Sequence, residues 1–465
     1  MRPLRLLLID PPFYRLYKDS YGLCKLPLGA ASLAAWAERH LDIEVRVLNA
    51  DFHPAPEQFS VPFMASEGFA AYRRALAGDG HPVFGAVADA VQRFEPDVVG
   101  ITVRTPALAS ARIVARIVKR LNPEIFVLAG GPHPSLTGEA MLGLPEFDAA
   151  VAGEGEQTLC GFFSGFACGQ IPKSEPGLIL RRGDAAKAAP PRAPLENLDL
   201  LPFPASIRPE TLIDRQAYPL KAFGYVFASR GCPRRCGYCS SHGVWGDGVR
   251  LRSNASILEE LGQLAGQGVT HVHFDDDTFG VTKPRLISLC RALEAAGMGL
   301  SYSCETHVSL IDETTAQALA RAGFATVQLG IESGDDAMLA AVGKGFTVRR
   351  AERAAGLIKA AGMRLEAFFM AGFPEETIET LAATRSLMER LPCDKIIYSI
   401  FTPYPGTPLF ERCASFGLIG PDFDPSRHNH QSPENAFCPR ITPKRFRELA
   451  GEIERLVAQR NVATR

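Results

Sequence analysis

Two series of short apolar runs, each alternating with helical patterns and separated by one Pro- and charge-rich stretch, constrain this chain more than any other feature. The first series is LRLLLID (4–10), EVRVLNA (44–50), DVVGITV (97–103), EIFVLAGG (124–131) and FDAAVAGEGE (147–156). The second is YVFASRG (225–231), HVHFDDD (271–277), LSYSCE (300–305), TVQLGIES (326–333), RLEAFFMAG (364–372) and KIIYSIF (395–401). Strands that are apolar on both faces and spaced by helices form parallel sheets covered on both sides. The expectation is an α/β chain: a doubly wound, Rossmann-like domain over 1–170, a linker over 171–222, a partial (β/α)6 barrel over 223–415 and a helical C-terminal cap over 416–465. Both architectures collect ligands at the carboxyl ends of their strands. Asp10, Thr102, Gly130, Gly131, Gly153, Glu154 and Gly155 fall there in the first series, and nearly every chemically active cluster of the second does too.

A chain of 465 residues is long enough for two or three cores. Its formal net charge of -1 gives no field to draw it onto nucleic acid or an anionic membrane. The N-terminal apolar run ends at Asp10 and a Pro pair, so it reads as a strand rather than an export signal, and no apolar stretch is long enough to span a bilayer. Eleven cysteines, an odd number without a leader, argue for reduced thiols and a cytoplasmic protein. Eight of them are scattered and read as small buried residues.

The other three form SRGCPRRCGYCSS, where Cys232, Cys236 and Cys239 stand at C-x3-C-x2-C in a Gly- and Pro-punctuated loop after a strand. Three thiolates on one loop can wrap one face of a [4Fe-4S] cubane and leave the fourth iron open. An open iron can chelate a substrate and pass an electron into it directly. A zinc site would need a fourth ligand, for which His242 stands close by, and a plain electron-transfer cluster is the other alternative.

C-x3-C-x-aromatic-C, with Tyr238 before the last cysteine, resembles the signature loop of the radical S-adenosylmethionine (SAM) enzymes. HFDDDTFG (273–280), LGIESGDDAMLAAVGKG (329–345), FMAGFPEET (369–377) and FTPYPGTPL (401–409) are similar to strand-end motifs of the branch with an N-terminal cobalamin-binding domain. LPLGAASLAAWAE, PDVVGITVRT, LAGGPHPS and AVAGEGEQTL resemble that domain, so the likeness covers roughly residues 4–415.

The resemblance implies that Cys232, Cys236 and Cys239 ligate the cluster and that SAM binds its open iron. Tyr238 would lie near adenine, Asp275, Asp276 and Asp277 near the methionine amino group, and Glu332 and Ser333 near ribose and methionine. Thr102, Gly130, Gly131, Gly153, Glu154 and Gly155 would contact cobalamin. His307, where family members often carry Arg, and Tyr302, Phe369, Tyr398 and Tyr404 are further pocket residues. The chain lacks the D-x-H-x-x-G string whose His binds cobalt, so the lower face of cobalt would meet a non-ligating side chain or water. The reaction implied is reductive cleavage of SAM to a 5′-deoxyadenosyl radical, hydrogen abstraction from a small-molecule or peptide substrate, and methylation of the resulting carbon from methylcobalamin. A flavodoxin- or ferredoxin-like protein would supply electrons. The alternatives are a radical ring contraction, cyclisation or rearrangement with the same cofactors, and an electron-transfer or sensor module. Strand-end acids and the PYPGTPL loop argue against a module, because a carrier needs no substrate cavity.

Overall fold

The computed structural model describes residues 2–182, 185–420 and 422–463. Two compact units emerge: one runs through Phe223 and includes Gly243–Trp245, and the other holds the remainder.

The first unit is built on one seven-stranded sheet: β1 (Leu4–Asp10), β2 (Ile43–Asn49), β3 (Val98–Thr102), β4 (Phe126–Gly130), β5 (Ala149–Val151), β6 (Leu178–Arg182) and β7 (Ala185–Ala188), in the order β2-β1-β3-β4-β5-β6-β7. The first five strands are parallel. Leu6, Val45 and Val98 lie in register and are fully buried, as strands covered on both faces require. The strand order reverses between β1 and β3, which makes their carboxyl ends the crevice of a doubly wound sheet. Helix Leu108–Leu121 packs into the core with Val99, Ile101 and Val127 of the sheet through Ile113, Val114, Ile117 and Val118, an i, i+1, i+4, i+5 stripe.

The stretch expected as a linker, 171–222, is instead sewn onto this unit. β6 pairs antiparallel with β5, and β7 antiparallel with β6, which extends the sheet by two strands. On the opposite edge, Val47 donates its N–H to Thr211 O and Ile213 donates to Val47 O, at 2.7 and 3.0 Å. Leu198, Leu201, Ile207 and Leu212 are buried. A Pro-rich composition marks an absence of helix, and these apolar residues are sufficient to pin the segment to a preformed core.

The second unit contains six parallel strands in sequential order, β8 (Tyr225–Val226), β11 (His271–Phe274), β12 (Ser301–Thr306), β13 (Phe324–Glu332), β14 (Arg364–Ala371) and β15 (Lys395–Ile400). A short ladder of β9 (Ser229–Arg230) and β10 (Arg250–Leu251) flanks the cysteine loop. Successive strands are joined through helices, which gives the partial-barrel pattern. Along the strands, Val272, Phe274, Cys304, Leu365, Ala367, Ile396 and Ile400 are buried on the helix side, while His273, Glu305, Gln328, Phe368, Met370 and Ser399 face the accessible inner side. Helix Pro443–Ala463 covers the β15 edge. Asn461 donates to Ile396 O at 2.9 Å and accepts from Ile396 N at 2.8 Å, occupying edge groups that would otherwise invite another strand. Among the described residues no helix is long and apolar enough to cross a membrane.

Candidate functional site

The cysteine loop leaves β9 through Gly231, whose φ of 92° suits glycine. Its backbone is fastened at two points: Gly237 donates to Val342 O and accepts from Leu409 N, both at 2.9 Å. Cys232, Cys236 and Cys239 are free thiols, each partly accessible. Burial raises all three, Cys239 to about 12, with Asp277 and the neighbouring thiols adding to it. Thiols that resist ionisation by themselves and crowd one another's charge become favourable ligands once a cationic centre takes that charge. His242 does not complete a four-ligand zinc set. Its Nε2 lies 2.6 Å from Arg234 O and its Nδ1 3.2 Å from Asp247 Oδ1, so it closes the loop on itself. The donor set therefore fits an iron–sulfur cubane held on three sides.

Around the loop, alternation separates the three expected aspartates. Asp275 and Asp277 are exposed on the inner side, whereas Asp276 is buried. Ala228 N–H donates to both Asp276 oxygens, at 3.1 and 3.0 Å, and the Ser229 hydroxyl donates to Oδ1. Asp276 thus braces the backbone that leads into the cysteine loop, and burial pushes its carboxyl up to about 7; the expectation that it faces a ligand is corrected.

Glu332 ends β13 in the left-handed region, φ 69°, where the register with β14 slips between Gly330 and Glu332. For a non-glycine residue this is the kind of strain that surrounding structure must hold in place. Its Oε1 accepts from the Tyr238 hydroxyl at 2.9 Å and from Lys344 Nζ at 3.2 Å. Ser333 shares a hydrogen bond with Thr384, 3.1 Å, and caps Asp335 N, so it organises the turn. Glu305, absent from the sequence expectations, stands inside the barrel beside Asp275, Asp277 and Glu332. It is reached by water yet enclosed by protein, and burial followed by the Glu332 charge raises it to about 7.

The expected aromatic pocket shifts by one residue. Tyr302, Phe369 and Tyr398 are at most 3% exposed on the helix side, because a strand sends successive side chains to opposite faces. Phe368, Met370 and Ile397 line the inner side in their place. Tyr404 stays accessible, its hydroxyl 2.9 Å from His430 Nε2. His307 is buried and bonded to the Ser309 hydroxyl at 2.8 Å. Burial, with Lys344 and Arg234 nearby, lowers it to about 3, so it is a neutral cap and not a substitute for an anion-binding Arg.

In the first unit Thr102, Gly130, Gly131, Gly153, Glu154 and Gly155 do gather at the ends of β3, β4 and β5. Ser135 joins two of these turns, donating to Gly131 O and accepting from Gly153 N, both at 2.9 Å. A methyl group added at Gly130 or Gly153 would meet nothing within 4 Å, so no neighbouring atom crowds these two strand ends. Two members differ from expectation. Glu154 accepts from Leu195 N at 2.7 Å and holds the following segment, and Gly155 is bare because Leu33 packs against it, 3.0 Å from an added methyl. After β1, in place of a cobalt-binding His, Asp10 pairs with Arg104 at 3.1 Å. Asp51 accepts from the N–H groups of Phe13 and Arg15, and burial raises it to about 7.

The two units match two family models, the radical SAM superfamily over residues 226–388 and the B12 binding domain over 14–163. An uncharacterised methyltransferase of Pyrococcus horikoshii is 32% identical over 422 residues, which are 90% of this chain and 85% of that protein. The chain is a radical SAM enzyme with a B12-binding domain. An anaerobic magnesium-protoporphyrin IX monomethyl ester cyclase of Rubrivivax gelatinosus is 29% identical, over 75% of this chain and 63% of that one. The fold is that of the radical SAM methyltransferase TsrM of Kitasatospora setae, solved with cobalamin and a [4Fe-4S] cluster bound, at TM-score 0.71 and 19% identity, covering 98% of this chain and 89% of that one.

As a radical SAM enzyme with a B12 domain, the chain works with a [4Fe-4S] cluster, SAM and cobalamin. Glu305 and Lys344 are the features of its site that the sequence analysis missed. Strand parity could have found Glu305, since it alternates with the buried Cys304 and Thr306 and pairs across the sheet with Gln328, on the inner side. Nothing local distinguishes Lys344 from a surface lysine.

Proposed function

We propose that this enzyme methylates a carbon atom of a small-molecule substrate. The observation that carries the reading is the presence of both cofactor domains in one chain that shares 32% identity, along 90% of its own length, with a protein described as a methyltransferase. When bound, the cluster supplies one electron to cleave SAM to a hydrogen-abstracting 5′-deoxyadenosyl radical, and cobalamin supplies the methyl group. Cys232, Cys236 and Cys239 hold the cluster and keep one iron open. Asp275, Asp277 and Glu332 place carboxylates where a sulfonium and an ammonium bind. Thr102, Gly130, Gly131 and Gly153 seat the corrinoid. The inner side of the barrel presents hydrogen-bonding groups (His273, Ser303, Glu305, Gln328) beside apolar ones (Phe368, Met370, Ile397), which suits a substrate with both characters. Electrons come from an external low-potential protein.

A second reading, ring formation without methyl transfer, is favoured by the 29% identity to the cyclase. Anaerobic protein reconstituted with iron, sulfide and hydroxocobalamin, then given SAM and a reductant that also takes the corrinoid to Co(I), distinguishes them. Methyl transfer predicts 5′-deoxyadenosine together with S-adenosylhomocysteine from remethylation of the corrinoid; 5′-deoxyadenosine alone supports rearrangement, and neither product would refute both.

A further inference from the structure

Among the described residues Lys344 is the one lysine in the buried class, at 5% exposure. A buried ammonium is costly unless it is paired, and this one is held by Glu332 Oε1 and by the Tyr238 hydroxyl oxygen, each 3.2 Å from Nζ. Tyr238 stands between Cys236 and Cys239 in the sequence. The backbone just before the lysine presses on the same loop. Gly343, at φ 78°, lies so close that an added methyl would be 2.8 Å from Arg235 O and 3.7 Å from Cys236 Cα, and Val342 O takes the Gly237 N–H.

Several departures from ordinary packing converge on this arrangement. Glu332, the partner of the lysine, is in the left-handed region at φ 69°. Gly330 must lack a side chain, since a methyl there would sit 2.8 Å from Glu332 Oε1 and 3.1 Å from Lys344 Nζ. An anchor for the loop needs none of this, because the backbone bonds at Gly237 already fasten it. A buried ion pair is also often no more stabilising than apolar residues of the same volume. Charge beside the cysteines is what the arrangement adds.

We infer that Lys344 is a positioning cation for the iron–sulfur centre, stabilising the extra negative charge that reduction places on the cysteine loop. This rests on Cys232, Cys236 and Cys239 being the cluster ligands. One-electron reduction takes the cluster from the 2+ to the 1+ state, the electron coming from the reductant. A fixed positive charge nearby favours the reduced form and raises the midpoint potential.

The test is an EPR-monitored redox titration of anaerobically reconstituted protein without SAM, for wild type, Lys344→Met, Lys344→Gln and Lys344→Arg, with iron and sulfide assayed in each. Lys344→Met and Lys344→Gln are expected to shift the midpoint to more negative potential. Lys344→Arg, which keeps the charge, stays at the wild-type value. Lys344→Gln retains a donor for Glu332 and carries the comparison if Lys344→Met assembles no cluster. Midpoints of both charge-removing variants equal to wild type, or a Lys344→Arg midpoint as low as theirs, would overturn the inference and make Lys344 a structural pin. Wild-type protein without four irons and four sulfides would instead sink the ligand assignment.

Discussion

Asp276 turns away from the mouth of the barrel and receives the Ala228 N–H on both of its carboxylate oxygens, at 3.1 and 3.0 Å. The middle acid of a three-aspartate run is therefore a brace for the cysteine loop, and its neighbours are the groups that face a ligand. Burial raises Asp276 from 3.8 to about 7. A carboxyl that binds its proton more tightly folded than unfolded stabilises the fold at low pH, and this contribution is lost as pH rises from about 4 through about 7. Asp276→Asn should flatten that part of the pH dependence of thermal unfolding in cluster-free protein. Asp276→Ala, which strands a buried N–H, should cost about 1–3 kcal/mol. An unchanged pH profile for the Asn variant would show that Asp276 does not titrate in this window.

Phe368 and Phe369 are adjacent in sequence and opposite in role. Phe369→Ala opens a cavity between sheet and helices and should cost about 3–5 kcal/mol in denaturant unfolding. Phe368→Ala, on the accessible side, should cost under half as much and act instead on substrate use. Equal losses of stability would mean that the parity of β14 is wrong.

Gly330→Ala places a methyl group 2.8 Å from Glu332 Oε1. The carboxylate is expected to swing off its partners, so that SAM binding by the cluster-loaded protein, measured by equilibrium dialysis, weakens at least tenfold while far-UV circular dichroism is unchanged. Wild-type affinity would remove Glu332 from the SAM site.

Gly130 has open space where a side chain would go. Gly130→Leu should fill it and abolish uptake of hydroxocobalamin, followed by absorption spectroscopy after gel filtration, with no change in melting temperature. Retained corrinoid would move the cofactor away from the β4 end.

What was legible in the sequence follows from how local each signal is. The three cysteines lie within one loop, so a single local pattern carried both the metal-site reading and the family resemblance. The apolar runs announced both sheets because covered parallel strands need little else to declare them. Register was harder: Asp276, Phe369 and Tyr398 are buried on the face away from the expected pocket, since a period of two makes a one-residue error invert every side chain. β7, Ala-Ala-Lys-Ala, has almost no strand propensity and exists only because β6, itself paired with β5, presents an edge to it. Lys344 was invisible because its burial depends on Glu332, Tyr238 and Gly330, none of them local to it.

The open iron remains the centre of the account, and Mössbauer spectroscopy of iron-57-reconstituted protein, with and without SAM, examines it most directly. One iron site in four should change its isomer shift when SAM is added. Four irons indifferent to SAM, or a mononuclear metal in their place, would contradict the account.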